Sequence, residues 1–189
     1  DAVVSSDNAP PASFEARARA LGLSTTQTLG FPTMGRAREE EGGAARLVAL
    51  KAVGEGYPLR GALRVAEAPS APDAATREIP APGTAWVDAA LLVSLNLKMG
   101  DPLLLGDASL RIARIIVVEP DRGAGFMSFA PRVMLNAADL PATGLVQPAS
   151  RLNYRLAVAG NDARVAEFSR WVAQTLEQPG VRGMRLESL

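Results

Sequence analysis

Ser94 and Lys98 stand four positions apart, the spacing that brings two side chains together on one face of a helix. A serine activated by a lysine is the one nucleophilic hydrolase arrangement this composition permits, because the chain holds neither histidine nor cysteine. Without those residues, Ser-His-Asp and Cys-His machinery and histidine-based zinc sites cannot be built. Nor does any side chain titrate near neutrality by default. The surroundings of the pair argue for structure instead of chemistry. Ser94 lies among leucines of an apolar run, and Lys98 falls in the final turn, where a cation suits the helix dipole.

The other candidates are weaker. Glu39-Glu40-Glu41 could supply paired carboxylates, but Arg36, Arg38, Gly42 and Gly43 flank them and mark a solvated turn. A general acid needs burial to raise its pKa, and this run has no means of burial. Asp101 and Asp107 each follow a glycine and read as turn residues, and together with Asp88 they show no metal-ligand spacing. Gly123-Ala124-Gly125 follows an apolar strand, as a dinucleotide loop would. It lacks a third glycine, however, and Phe126 to Pro131 does not open a helix on which a phosphate could rest. No Walker loop is present. The expectation is a chain with no catalytic residues, no metal and no cofactor, and with no buried cluster of ionisable side chains lining a cleft. The remaining candidates for contact are Phe126, Met127 and Phe129, two aromatics and a methionine in a glycine-flanked loop. Such residues either plug the domain's own core or offer a soft apolar surface to a partner or lipid.

The 189 residues balance 20 basic against 20 acidic side chains. Lys51 and Lys98 are the only lysines, so 18 of the 20 cations are arginine; they are scattered, which argues against an electrostatic grip on nucleic acid. The longest apolar stretch, Ala89 to Leu97, falls well short of the roughly 20 residues that cross a bilayer. The absence of cysteine is compatible with an oxidising compartment without proving one. The chain begins at Asp1 with no charged-then-apolar leader, so it reads as a domain trimmed from a longer protein.

Periodicity supplies the elements. Val3-Val4 opens a short strand, and Phe14, Ala18 and Leu21 share a helical face between Pro10-Pro11 and Gly22. Ser24 to Met34 and Arg46 to Val53 read as paired strands around the charged tip at 36–43. Ala66 to Pro82 is rich in proline and alanine without periodicity and reads as a connecting loop. A short helix follows, with Ala89, Leu92, Val93 and Leu97 near one face and a stop at Lys98-Met99-Gly100. Leu103 to Leu105 then pairs with Leu110 to Val118 across Gly106-Asp107, and after a loop over 121–130 a strand runs from Arg132 to Leu135. The chain closes with a half-buried strand on Leu152, Tyr154, Leu156 and Val158. A helix capped by Asn161 or Asp162 follows, burying Val165, Phe168, Val172 and Leu176 and ending at Pro179-Gly180. A last strand carries Met184 and Leu186. The fold expected is α+β in two lobes. A mixed sheet with βαβ units comes from both chain ends, 1–65 and 146–189, with helices on one face, and a β-rich lobe is inserted at 66–145.

The order "short helix, Leu-x-x-Gly-Asp, strand, turn, strand" resembles the extracytoplasmic core domain of FtsX/MacB-type ABC transporter permeases. The passage Ala49 to Gly61, with its Glu55-Gly56-Tyr57-Pro58 loop and Arg60-Gly61, agrees with it. So do Ala130 to Asn136 with Asp139 to Gly144, and Gln147 to Arg151 leading into Tyr154 to Leu156. The resemblance implies a periplasmic domain of an inner-membrane protein, cut from between two membrane spans, with no activity of its own. It also implies a separate ABC ATPase subunit and a second permease copy as partners, and action on a lipid, a lipoprotein or a periplasmic enzyme. For such a lever the two chain ends should lie close together. A free-standing ligand-binding module and a hydrolase with a non-histidine site are the alternative readings.

Overall fold

The computed structural model describes residues 1–122, 129–147, 150, 152–177 and 184–188. Phe126 and Met127 therefore lie outside the described residues, as do Gly123, Gly125 and Pro179-Gly180.

The chain opens with β1 (Ala2–Ser6) and α1 (Ala12–Ala20), then forms a long hairpin of β2 (Ser24–Arg36) and β3 (Ala45–Val53). β4 (Leu63–Ala66), β5 (Asp73–Thr76), β6 (Thr84–Val87) and α2 (Ala89–Leu95) follow, then the hairpin β7 (Pro102–Leu105) and β8 (Ala108–Val118). β9 (Arg132–Asn136), the short α3 (Leu140–Thr143), β10 (Asn153–Ala159), α4 (Asp162–Leu176) and β11 (Met184–Ser188) complete it. All eleven strands join one mixed sheet in the order β11-β1-β10-β2-β3-β9-β6-β8-β4-β5, with β7 bridging β8 and β2.

Two features organise this sheet. At the chain ends, β1 lies antiparallel between β10 and β11. α1 and α4 pack on the face formed by Ala2, Val4, Leu156 and Val158, and Phe14, Phe168 and Val172 fill the space between. Full burial of each such side chain is worth about 1.5–3 kcal/mol. The Phe14 and Trp171 rings meet edge-on at 5.3 Å. In the middle of the chain, β7 pairs with β8 along its whole length and with β2 at Gly35 and Arg36. Strands β2, β3, β9, β6, β8 and β7 thus close into a ring. Alternate residues point inward, among them Val48, Leu50, Leu103, Leu105, Ile112 and Val133, and they meet Leu91, Leu92 and Leu95 of α2. α1 and α4 lie on one face of the terminal sheet, as expected for its helices, and strand alternation puts α2 on that same side. Outside the ring a third apolar cluster gathers Val53, Tyr57, Leu63, Trp86 and Met134.

Most elements expected from sequence are present, and two differ. The stretch read as a loop from Ala66 to Pro82 contains β5, which pairs antiparallel with an unforeseen β4. Helix α2 stops at Leu95 because Asn96 takes a left-handed conformation (φ 54°). Its buried face is Leu91, Leu92 and Leu95, and Val93, expected inside, is 85% exposed. Asn161, not Asp162, caps α4, its Oδ1 accepting from the Ala163 N–H at 2.9 Å.

Candidate functional site

The early end of α2 separates the one serine–lysine pair. Lys98 lies beyond the helix, so the i, i+4 approach does not form. The Ser94 hydroxyl donates to the Ala90 carbonyl at 3.0 Å and accepts from Arg46 at 3.1 Å. Glu41 is engaged by Arg38 in the solvated tip, and the guanidinium holds its carboxyl below the usual range. Asp101 accepts from the Lys98 N–H at 2.9 Å, the role of a turn residue. Among the described residues no group of three Asp or Glu side chains is placed to hold a metal. Phe129 is described, and it is 85% exposed.

The arrangement that sequence reasoning missed lies on the helix-free face of β3. Leu50 and Ala52 point into the ring, so Lys51 between them points outward. There it is 5% exposed and donates three hydrogen bonds, to Tyr57 Oη (2.9 Å), Glu119 Oε2 (2.9 Å) and Asp121 Oδ2 (2.8 Å). The Tyr57 hydroxyl donates to the second oxygen of Asp121. Glu119 accepts on its other oxygen from Arg132 Nε at 2.9 Å, and Arg132 donates to the Ala49 carbonyl at 3.3 Å. Next to it, the Asp88 carboxylate receives both the Arg122 guanidinium (2.6 and 3.2 Å) and the Arg132 backbone N–H (2.8 Å). The expectation of no buried ionic cluster was therefore wrong. Six charged groups from four separate stretches of chain converge here, three cationic and three anionic.

Its chemistry is that of a closed network. Lys51 uses all three of its donors, and no buried side-chain nitrogen or oxygen among the described residues lacks a partner. Burial pushes the Tyr57 phenol well above its ordinary value, and the Asp121 charge adds to that. Burial also works to raise the Asp121 carboxyl, but the Lys51 charge, its hydrogen bond and that from Tyr57 outweigh it, and the net shift is downward. Tyr57 is thus held protonated and Asp121 ionised across the neutral range, which leaves neither poised to exchange a proton. A cavity of about 100 Å³ opens beside them, with Val3, Thr28, Ala157, Pro58, Arg60 and Asp121 in its walls. Among the described residues Asp121 is its sole lining residue from the 66–145 segment, so this cavity is not the pocket that a ligand-binding inserted lobe would require.

The two ends of the described chain also meet. Ala2 pairs with Ser188 at the end of the β1–β11 ladder, and the Asp1 carboxylate binds Arg60 through two hydrogen bonds of 2.8 and 3.0 Å.

No family model matches the chain. It is 34% identical over 177 residues to the ABC transporter permease YbbP of Escherichia coli (strain K12), a match covering 94% of this chain and 20% of that protein. The chain thus spans about a fifth of that relative's length. In fold it is similar to the extracellular domain of the ABC-type transporter YknZ from Gram-positive bacteria, with TM-score 0.59, 10% identity and all of both chains covered. It is also similar to the periplasmic region of MacB from Actinobacillus actinomycetemcomitans, with TM-score 0.56, 10% identity and 99% and 88% of the two chains covered. Among the described residues no helix is long and apolar enough to cross a membrane.

Proposed function

The chain is homologous to part of an ABC transporter permease and has the fold of MacB-like extracytoplasmic domains; from that premise we propose that it is the periplasmic lever of an FtsX/MacB-type permease. The observation that carries this reading is the pairing of Ala2 with Ser188. A lever worked by two membrane spans must receive both at one point, and this ladder brings residues 2 and 188 to adjacent positions. In this reading a separate ATPase subunit drives the spans, and a second permease copy completes the transporter. The domain passes the movement to a lipid, a lipoprotein or a periplasmic enzyme, and performs no chemistry itself.

The division into a membrane-proximal lobe (1–65 and 146–189) and an inserted lobe (66–145) is part of this proposal. Support for it comes from the separate apolar cluster under α1 and α4, although β2 and β3 serve both parts. Phe129, with Phe126 and Met127, is the proposed contact with an apolar partner. Its 85% exposure supports that role over a plug for the domain's own core.

The test uses the full permease with its ATPase in lipid nanodiscs. Spin labels at Val93 and Arg170, both on the domain, and at a site in the flanking spans report distances with and without trapped ATP. A nucleotide-dependent shift of the domain against the spans is expected. Identical distance distributions in the two states would refute the lever.

A further inference from the structure

The segment Tyr57–Arg60 is anchored at both ends by charge, and the two anchors belong to different parts of the fold. At one end Arg60 grips Asp1, one residue before the strand that closes the terminal sheet. At the other, Tyr57 is 2% exposed and its hydroxyl is fixed between Lys51 and Asp121 on the outer face of the ring. Between these ends, Pro58 and Leu59 line the cavity together with Val3 and Ala157 of the terminal sheet. From Lys51 the network continues through Glu119 to Arg132 and Asp88. Asp88 binds residues on both sides of the 123–131 segment, Arg122 before it and Arg132 after it.

We propose that Tyr57–Arg60 is a strut that couples the terminal sheet to the ring, so that displacement at residues 1–2 reaches the base of the 123–131 segment through Arg60, Tyr57, Lys51 and Asp88. This rests on the lever reading and names the element that would carry the stroke. The continuous β2–β3 hairpin is the competing route. A hairpin can bend or twist along its length, whereas a strut pinned to both bodies resists their relative rotation. Lys51 is a positioning residue in this scheme: it holds Tyr57 and both acidic side chains at once.

The two tryptophans provide the test, because Trp86 lies in the apolar cluster outside the ring and Trp171 packs against the cluster under α1 and α4. Trp171→Phe and Trp86→Phe versions of the 189-residue chain each report one part by fluorescence during urea unfolding. Each version is compared with its own Lys51 parent, because replacing either tryptophan shifts stability by itself. Lys51→Met should lower the Trp86-reported midpoint by about 1 M urea or more beyond its effect on the Trp171-reported midpoint, since a buried ion pair has lost one partner. Equal falls in the two reporters would overturn the strut and assign coupling to the hairpin. If Lys51→Met does not fold, Tyr57→Phe replaces it, since it keeps the ring and removes only the anchoring hydroxyl. Equal falls in that variant would equally overturn the proposal. None of these results bears on whether ATP moves the domain, so the lever reading stands or falls separately.

Discussion

Replacing Gly106 by alanine should be among the most damaging single-methyl additions possible in this chain. Gly106 has φ +54°, and a Cβ there would lie 2.1 Å from the Thr143 carbonyl oxygen and 2.9 Å from Leu145 Cγ. That carbonyl accepts the Asp107 N–H at 2.9 Å, and the Gly106 carbonyl accepts from Arg36 at 3.2 Å, next to the rungs that close the ring. Relief demands that the 143–145 backbone retreat by more than an ångström, which breaks the Asp107 bond. The left-handed conformation costs alanine about 1–2 kcal/mol, and overpacking and the orphaned bond add roughly 1–3 kcal/mol each. The sum is about 3–8 kcal/mol. Gly100 is the control: its φ is +88°, but nothing lies within 4 Å of its Cβ position, so Gly100→Ala should cost only about 1–2 kcal/mol. Urea denaturation followed by far-UV circular dichroism measures both. Equal losses in the two variants would refute the steric argument and leave backbone conformation as the whole effect.

Three further outcomes follow from the packing and the charges. The depressed Asp121 carboxyl contributes stability that is complete above the ordinary aspartate range near pH 4 and is lost as pH falls through its lower folded value. Asp121→Asn should therefore flatten the acid limb of stability against pH, and a limb unchanged by the substitution would contradict the assignment. The raised Tyr57 phenol acts at the other extreme: its contribution is complete below about pH 10 and declines above it. Tyr57→Phe should reduce that alkaline slope, measured by urea midpoints between pH 8 and 11. On α2, Leu91→Ala should cost about 2–5 kcal/mol, whereas Val93→Gln should change stability by no more than about 0.5 kcal/mol. Similar losses at the two positions would mean that the helix face is misassigned.

Local regularity decided what could be read from sequence. β10 and α4 each carry a clean period, with Leu156 and Val158 alternating and Val165, Phe168 and Val172 recurring, and both elements lie where those periods place them. The β7–β8 hairpin was legible because Gly106-Asp107 separates two apolar runs. In α2 the apolar residues run almost without a break, so periodicity could not choose between Val93 and Leu91, and the left-handed Asn96 gave no sequence signal strong enough to shorten the helix. β4 and β5 are four residues each, and β5 contains nothing apolar beyond alanine, so their pairing is a property of the sheet they join. The ionic cluster was invisible for a different reason. Lys51 and Asp121 are 70 positions apart, and only the fold brings them together. One sign was available: in a chain with two lysines, one interrupts the apolar run Ala49-Leu50-Lys51-Ala52-Val53. A charge in such a place must find a counter-charge.

The β1–β11 ladder also sets how the domain answers to tension. Its five rungs run from Ala2–Ser188 to Ser6–Met184, so a force that splays residue 2 from residue 188 loads them singly, starting at the outermost. A force that carries both residues in the same direction loads no rung and displaces the body whole. The same joint is thus compliant to separation and stiff to concerted movement, and a transporter that drew its flanking helices apart would unzip this edge before it could shift the ring.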